Sequence, residues 1–178
     1  MSTFAFNKVS AQYPGAVIRQ YNDRPGDPWL EVKAERIVEV VTLLKHDPEL
    51  DLKLFLSIDA VDRLQLPDST PRFELVYFLY SLHRGEHARI KCRVSEDSAH
   101  LPTITSVYQG ANWFERLVWD FYGIRFDGHP DLRRILLYEE FKGHPLRKDY
   151  ALRDRQPLIP ERPLKDIYRG PGTNGVTH

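Results

Sequence analysis

Apolar and polar positions recur along this chain with two different periods, and the switches between them mark out its elements. Residues 3–13 predict a short first helix, ended by Pro14-Gly15. Ala16 to Gln20 predicts a strand, Asp23-Arg24-Pro25-Gly26-Asp27-Pro28 a turn, and Trp29 to Val32 a second short strand. Ile37, Val40, Val41 and Leu44 then fall on one helical face, which predicts a helix from about Ala34 to His46 closed by Pro48. Leu52, Leu54, Leu56 and Ile58 alternate with Lys53, Phe55 and Ser57, the period of a half-buried strand. Phe73 to His83 predicts another strand. Arg84-Gly85-Glu86 turns it into a third, Ala88 to Val94, with Ile90, Cys92 and Val94 on one face. Strands joined by so short a turn run antiparallel. From Val107, the apolar residues Ala111, Phe114, Leu117, Val118 and Phe121 predict a second long helix, with Ser106 as N-cap and Gly123 as its left-handed stop.

Beyond Gly123 the periodicity fades. Pro130, Pro145, Pro157, Pro160, Pro163 and Pro171 interrupt the chain, and Ile135, Leu136, Leu137, Tyr138 and Phe141 form the one apolar island. A structureless stretch of this length is unusual inside a compact domain. The fold expected is α+β: a head over residues 1–123, with a small mixed or antiparallel sheet packed by helices, then a long extended C-terminal arm over 124–178 that docks on a partner. An arm wrapped on its own head is the alternative.

Composition narrows the function. Hydrophobic residues make up 42% of the 178, enough for a real core, and 25 basic residues balance 25 acidic ones. No net field therefore draws the chain to nucleic acid or anionic lipid. The longest apolar run, Leu75 to Tyr80, falls far short of the roughly 20 residues that cross a bilayer. The N-terminus lacks a basic start and an apolar block, so no signal peptide is expected, and Cys92 stands alone. A cytoplasmic protein is expected.

Catalytic motifs are scarce. Gly170-Pro171-Gly172-Thr173-Asn174-Gly175 matches the spacing of a dinucleotide loop but follows no strand and opens no helix. One cysteine cannot supply the about four that an iron–sulfur cluster commonly takes. His83 and His87 bracket a predicted hairpin turn, where solvated side chains are the plainer reading than metal ligands. Asp59 and Asp62 could act as an acid–base pair or simply end a strand. Glu115, Arg116 and Asp120 fall on the polar side of the second long helix, where an exposed Arg116–Asp120 pair would contribute about 0.3–0.5 kcal/mol. Trp113 and Trp119 suit a core or an interface.

The strongest pattern is a half repeat. Gly128-His129-Pro130-Asp131-Leu132-Arg133-Arg134 returns as Gly143-His144-Pro145-Leu146-Arg147-Lys148-Asp149-Tyr150. Each proline stiffens its turn and biases the histidine before it toward an extended backbone. Asp131, Glu139, Glu140 and Asp149 counter the basic residues, and such mixed charge suits a protein surface rather than nucleic acid. No catalytic or metal-binding residue is expected on this chain. A freestanding enzyme built on His129, His144 and the Asp59–Asp62 pair is the rival reading.

These motifs, with Trp113-Phe114-Glu115-Arg116 and Asp120-Phe121-Tyr122-Gly123-Ile124-Arg125-Phe126 before them, resemble the 30 kDa family, the C-type subunit of proton-pumping NADH:quinone oxidoreductase, respiratory complex I. The likeness spans roughly Trp29 to Tyr150. It departs at Leu117, where the family usually carries glutamate; on the predicted apolar stripe, leucine would be ordinary core. The resemblance implies a subunit with no cofactor of its own, in the peripheral arm on the cytoplasmic side of the bacterial inner membrane, or on the matrix side in an organelle, attached only through the complex. FMN, iron–sulfur clusters and quinone would lie on partner subunits. Glu115, Arg116, Asp120 and both arm motifs would face the adjoining subunit that forms most of the quinone site, together with the neighbouring iron–sulfur subunits. Ferredoxin-fed complexes, membrane-bound hydrogenases and formate hydrogenlyases carry related subunits.

Overall fold

The computed structural model describes residues 2–21, 29–151, 153, 155, 156 and 158, with side chains from Ala5 onward. The Asp23–Pro28 turn and the Gly170–Gly175 glycines lie outside the described residues. The elements in chain order are α1 (Ser2–Gln12), β1 (Val17–Tyr21), β2 (Trp29–Val32), α2 (Ile37–His46), β3 (Leu54–Asp62), β4 (Phe73–Ser81), β5 (Glu86–Val94), β6 (His100–Pro102), α3 (Ala111–Tyr122) and β7 (Arg125–Asp127). Five strands form one sheet in the order β1-β2-β5-β4-β3. Every pairing in it is antiparallel except β2 with β5, so the sheet is mixed and the fold is α+β.

The core lies on one face of this sheet. Ile37, Val40, Val41 and Leu44 of α2 are fully buried there with Val9 of α1, Ile58 of β3, Tyr77 and Leu79 of β4, and Ile90 and Cys92 of β5. The helical stripe read from the sequence is therefore the packed face of α2. Helix α3 closes the β3 side, where Phe114 meets Phe55 edge-on at 5.5 Å and Tyr108 Oη donates to the Leu52 carbonyl at 2.5 Å.

Three features, on β3 and α3, differ from the sequence expectation. Strand β3 starts two residues late and runs on to Asp62, with a register shift between Phe55 and Ser57 against β4. The shift breaks the alternation, so Leu54 and Leu56 turn outward while Phe55 packs against α3. Helix α3 begins at Ala111 rather than Val107, because Val107, Tyr108 and Ala111 donate in successive tight turns and Ser106 makes no cap. Gly123 does end it in the left-handed region, at φ 73°. Finally, Glu115, Arg116 and Asp120 are buried rather than solvated, and Leu117 is only half-buried, outside the core. Among the described residues, no helix is long and apolar enough to cross a membrane.

Candidate protein-docking site

After Gly123 the chain does not leave the head at once. Strand β7 pairs in parallel with β6, and the two arm motifs run back along α3. The three buried polar residues of that helix organise this return.

Glu115 is 0% exposed. Its carboxylate accepts the Ile104 N–H at 2.8 Å and the Thr103 hydroxyl at 2.5 Å. Burial drives its pKa up from 4.5 to about 7, against the downward pull of those two hydrogen bonds. His129 Nε2 lies 3.9 Å away, its side chain equally buried. The ring's Nδ1 accepts the Asp131 N–H, which places its proton on Nε2, facing the Asn112 carbonyl at 3.3 Å. The contact with Glu115 is thus one between a neutral ring and a carboxyl group.

The next residue, Arg116, donates to the Arg133 and Arg134 carbonyls at 3.1 and 3.0 Å and lies over the Trp113 ring. The Arg116–Asp120 pair expected from their spacing does not form. Instead Asp120 Oδ2 accepts three successive N–H groups, those of Ile135, Leu136 and Leu137, while Oδ1 takes Arg134 at 2.7 Å. Burial alone would raise this carboxyl, but the three amides and the guanidinium outweigh it and hold the pKa below the usual carboxylate range. Arg134 continues to the Phe141 carbonyl at 2.8 Å.

The second motif seats on the far end of α3. His144 Nδ1 donates to the Asp120 carbonyl at 2.9 Å, the Leu146 N–H to the Phe121 carbonyl at 3.2 Å, and Arg147 Nε to the Tyr122 carbonyl at 2.6 Å. Burial lowers the His144 pKa. A Cβ on Gly123 would stand 2.6 Å from the His144 ring, so the glycine serves both the positive φ and the close approach. Tyr150 stacks on Phe141 at 6.1 Å.

An arginine outside both motifs anchors this end. Arg72 bonds Asp62 at 2.7 and 3.0 Å, Glu96 at 2.6 Å and Asp149 at 2.6 and 3.0 Å. The Lys148 N–H adds a bond to Asp62 at 2.7 Å. Burial would raise the Asp62 carboxyl, yet Arg72 and the Lys148 and Leu64 amides bring it down to about 2. Nothing in the local sequence around Arg72 announces this role. The available signal is the predicted sheet: neighbouring strands β3 and β4 put Asp62 opposite Phe73, hence beside Arg72.

Of the residues expected at an interface, Glu115, Arg116, Asp120, His129, Arg134, His144, Arg147 and Asp149 are therefore engaged within the chain. Pro130, Asp131, Arg133, Leu146 and Lys148 are exposed or half-buried at the surface, and Asp131 pairs with Arg133 at 2.9 Å. Leu132 packs half-buried against the core, while Leu136 is 68% exposed. A cleft of about 450 Å³ opens beside them, lined by Trp119, Leu132, Arg133, Arg134, Leu137, Tyr138 and Glu139.

The rival chemistry does not converge. His129 and His144 hold carbonyls at Asn112 and Asp120, eight residues apart and so about 12 Å along the helix. Asp59 and Asp62 point to opposite faces of β3. His83 and His87 are both exposed, and among the described residues no group of three or more His, Cys, Asp or Glu side chains could hold a metal ion.

The chain is similar to known proteins in both sequence and fold. The sequence profile of the respiratory-chain NADH dehydrogenase 30 kDa subunit matches residues 30–156. The second C-type subunit of the NADH-quinone oxidoreductase of Rhizobium meliloti (strain 1021) is 52% identical over 122 residues, which span 68% of this chain and 65% of that protein. The C-type subunit of the same enzyme from Trichlorobacter lovleyi is 42% identical over 166 residues, 93% of this chain and 94% of that one. Among solved structures, the trypsin-resistant fragment of Nqo5 superposes with a TM-score of 0.63 at 30% identity, covering 73% of this chain and 98% of the fragment. A chain of the archaeal membrane-bound sulfane sulfur reductase shares the fold over 98% of this chain and 95% of its own, with a TM-score of 0.68 and 24% identity. The chain belongs to the family of the 30 kDa subunit of respiratory-chain NADH dehydrogenase, the C-type subunit of NADH-quinone oxidoreductase.

Proposed function

We propose that this chain is a scaffolding subunit of a proton-translocating NADH:quinone oxidoreductase, without a cofactor of its own. Its arm side holds the quinone-site subunit next to the iron–sulfur subunits of the peripheral arm, on the cytoplasmic side of the membrane. FMN, the iron–sulfur clusters and quinone belong to the partners, and electron transfer from NADH to quinone is the work of the assembly. The observation that carries this reading is the use made of the two motifs. Their charged groups tie residues 128–150 to α3, which fixes the backbone and leaves Leu136, Leu146, Arg133 and the Trp119–Tyr138 cleft facing outward. A rigid apolar surface of this kind loses little freedom on binding.

The test is purification of the tagged chain from its native membranes in mild detergent, with every co-purifying protein identified by mass spectrometry. A flavin-binding subunit, iron–sulfur subunits, the quinone-site subunit and membrane pump subunits are expected together. A nickel hydrogenase or a ferredoxin-linked set would move the scaffold to another reaction. Recovery of a lone chain would overturn the scaffold reading.

A further inference from the structure

The second motif meets α3 through a histidine with room for one ring proton. His144 Nδ1 faces the Asp120 carbonyl at 2.9 Å, and a carbonyl only accepts, so the proton sits there and Nε2 keeps its lone pair. Nε2 has no hydrogen-bond partner among the described residues. It lies against Gly123 instead. A Cβ on that glycine would stand 2.6 Å from Nε2 and 2.9 Å from Arg147 Nη2, so imidazole and guanidinium converge on one point. A second guanidinium closes the other side: Arg134 Nη1 lies 3.5 Å from the same Asp120 carbonyl that His144 holds. The ring is half-buried, with Trp119 edge-on at 6.5 Å.

We propose that His144 is an acid-released clasp: a second proton on its ring drives residues 144–150 off the C-terminal end of α3. The new charge would stand between two arginines. A helix end attracts cations, but Arg147 already takes the Tyr122 carbonyl here, and Arg134 the Asp120 carboxylate. The other carboxylates nearby are committed. Asp120 also binds three backbone amides, Arg72 holds Asp62, Glu96 and Asp149, and Asp127 pairs with His100. Asp97 and Arg125, exposed on the cleft beside Gly123 and Arg147, offset one another in charge. Burial and the two arginines accordingly hold the ring's pKa below the ordinary 6.5, against the pull of the Asp120 carbonyl. A released ring takes up its proton first. The clasp is therefore intact above pH 6.5 and weakens as pH falls, by up to about tenfold per pH unit until the bound ring is itself charged. Asp62 and Asp149, with lowered pKa values, stay ionised in this range and do not share in the change. The clasp belongs to the chain itself and stands apart from the scaffold reading; under that reading, acid would loosen the surface around Leu146 that faces a partner.

Hydrogen exchange of the purified full chain from pH 7 to 5, corrected for the intrinsic rate of each amide, tests it. The reporters are the amides of Leu146, Arg147 and Tyr150, bonded to the Phe121, His144 and Arg147 carbonyls, and that of Lys148 on Asp62. In the parent their opening should rise by up to about tenfold between pH 6.5 and 5.5, while the amides of β4 hold steady. His144→Gln, which can still donate to the Asp120 carbonyl, should show no such rise. No rise in the parent, an equal rise in the variant, or an equal rise in β4 would each overturn the proposal. An NMR titration of the His144 ring in the parent gives a second reading that does not depend on the variant. The expected midpoint lies below 6.5, with the proton on Nδ1 at pH 7; a midpoint at 6.5 or above would refute the clasp.

Discussion

Replacing Glu115 with glutamine should stabilise the protein at pH 8 and leave it nearly unchanged at pH 4.5. The folded-state pKa of Glu115 is raised from 4.5 to about 7 by burial. A raised folded pKa means that the native state holds a proton which the unfolded chain releases first. The stability tied to that proton is complete below pH 4.5 and is lost as pH rises to 7. A difference of about 2.5 pH units at 1.36 kcal/mol each gives about 3 kcal/mol. Glutamine keeps an acceptor for the Ile104 N–H and can donate to the Thr103 hydroxyl, with no charge to bury. For a domain of this size the gain at pH 8 is about 6–12 °C in Tm. Urea and thermal melts of the purified full chain, parent and variant, from pH 4.5 to 8 supply the measurement. His144, with its lowered pKa, acts in the opposite sense, favouring the native state as pH rises through the His range, but it is common to both proteins and cancels in the difference. A stability difference that stays constant from pH 4.5 to 8 would refute the argument. So would a glutamine variant less stable at pH 8, since Glu115 would then be a well-satisfied anion.

Other perturbations separate the groups that hold the motifs to the head. Arg72→Ala leaves Asp62 buried without its cation and should cost about 3–5 kcal/mol, read by urea unfolding at pH 7, with faster trypsin cleavage at Arg147 and Lys148. In the parent, Asp62 has its pKa lowered to about 2, so its contribution is present above the unfolded carboxylate value and is lost as pH falls from about 4 to 2; the variant should lack that acid limb. Gly123→Ala meets both the φ of 73° and the His144 ring, and should cost at least about 1 kcal/mol with earlier hydrogen exchange in residues 144–147. Arg133→Ala should change stability by less than about 0.5 kcal/mol, because its pair with Asp131 is exposed, whereas Arg134→Ala removes the cation from buried Asp120 and should cost about 3–5 kcal/mol. Equal effects of the two arginines would contradict the division drawn between them.

Local signals are legible where the cause is local. The stripe of Ile37, Val40, Val41 and Leu44 needs only an apolar neighbour, and Gly123 needs only its own backbone freedom. The β4–β5 hairpin follows from Gly85 between two apolar runs. What lies over a polar side chain is not legible in this way. Glu115, Arg116 and Asp120 look like a solvated face, since no short-range pattern says that residues 128–150 return to cover them. The outward turn of Leu54 and Leu56 depends on a register shift that only the partner strand defines. The charges of the two motifs are hidden for the same reason. Arginines that look like hooks for another protein are held by this chain's own carboxylates and carbonyls. Leu117 likewise sits half-buried beside the core rather than in it.

The last carbonyls of α3 have a consequence for biosynthesis. A helix ends with carbonyl groups that its own amides cannot reach, at the negative end of its dipole. Here the Trp119 carbonyl is capped by Gly123, but those of Asp120, Phe121 and Tyr122 are capped by His144, Leu146 and Arg147. The helix is finished by residues synthesised more than twenty positions later. While the chain is still on the ribosome, α3 stays frayed at this end until Arg147 has left the exit tunnel. A polypeptide interrupted before that point would present an open helix end to the proteases that remove unfinished chains.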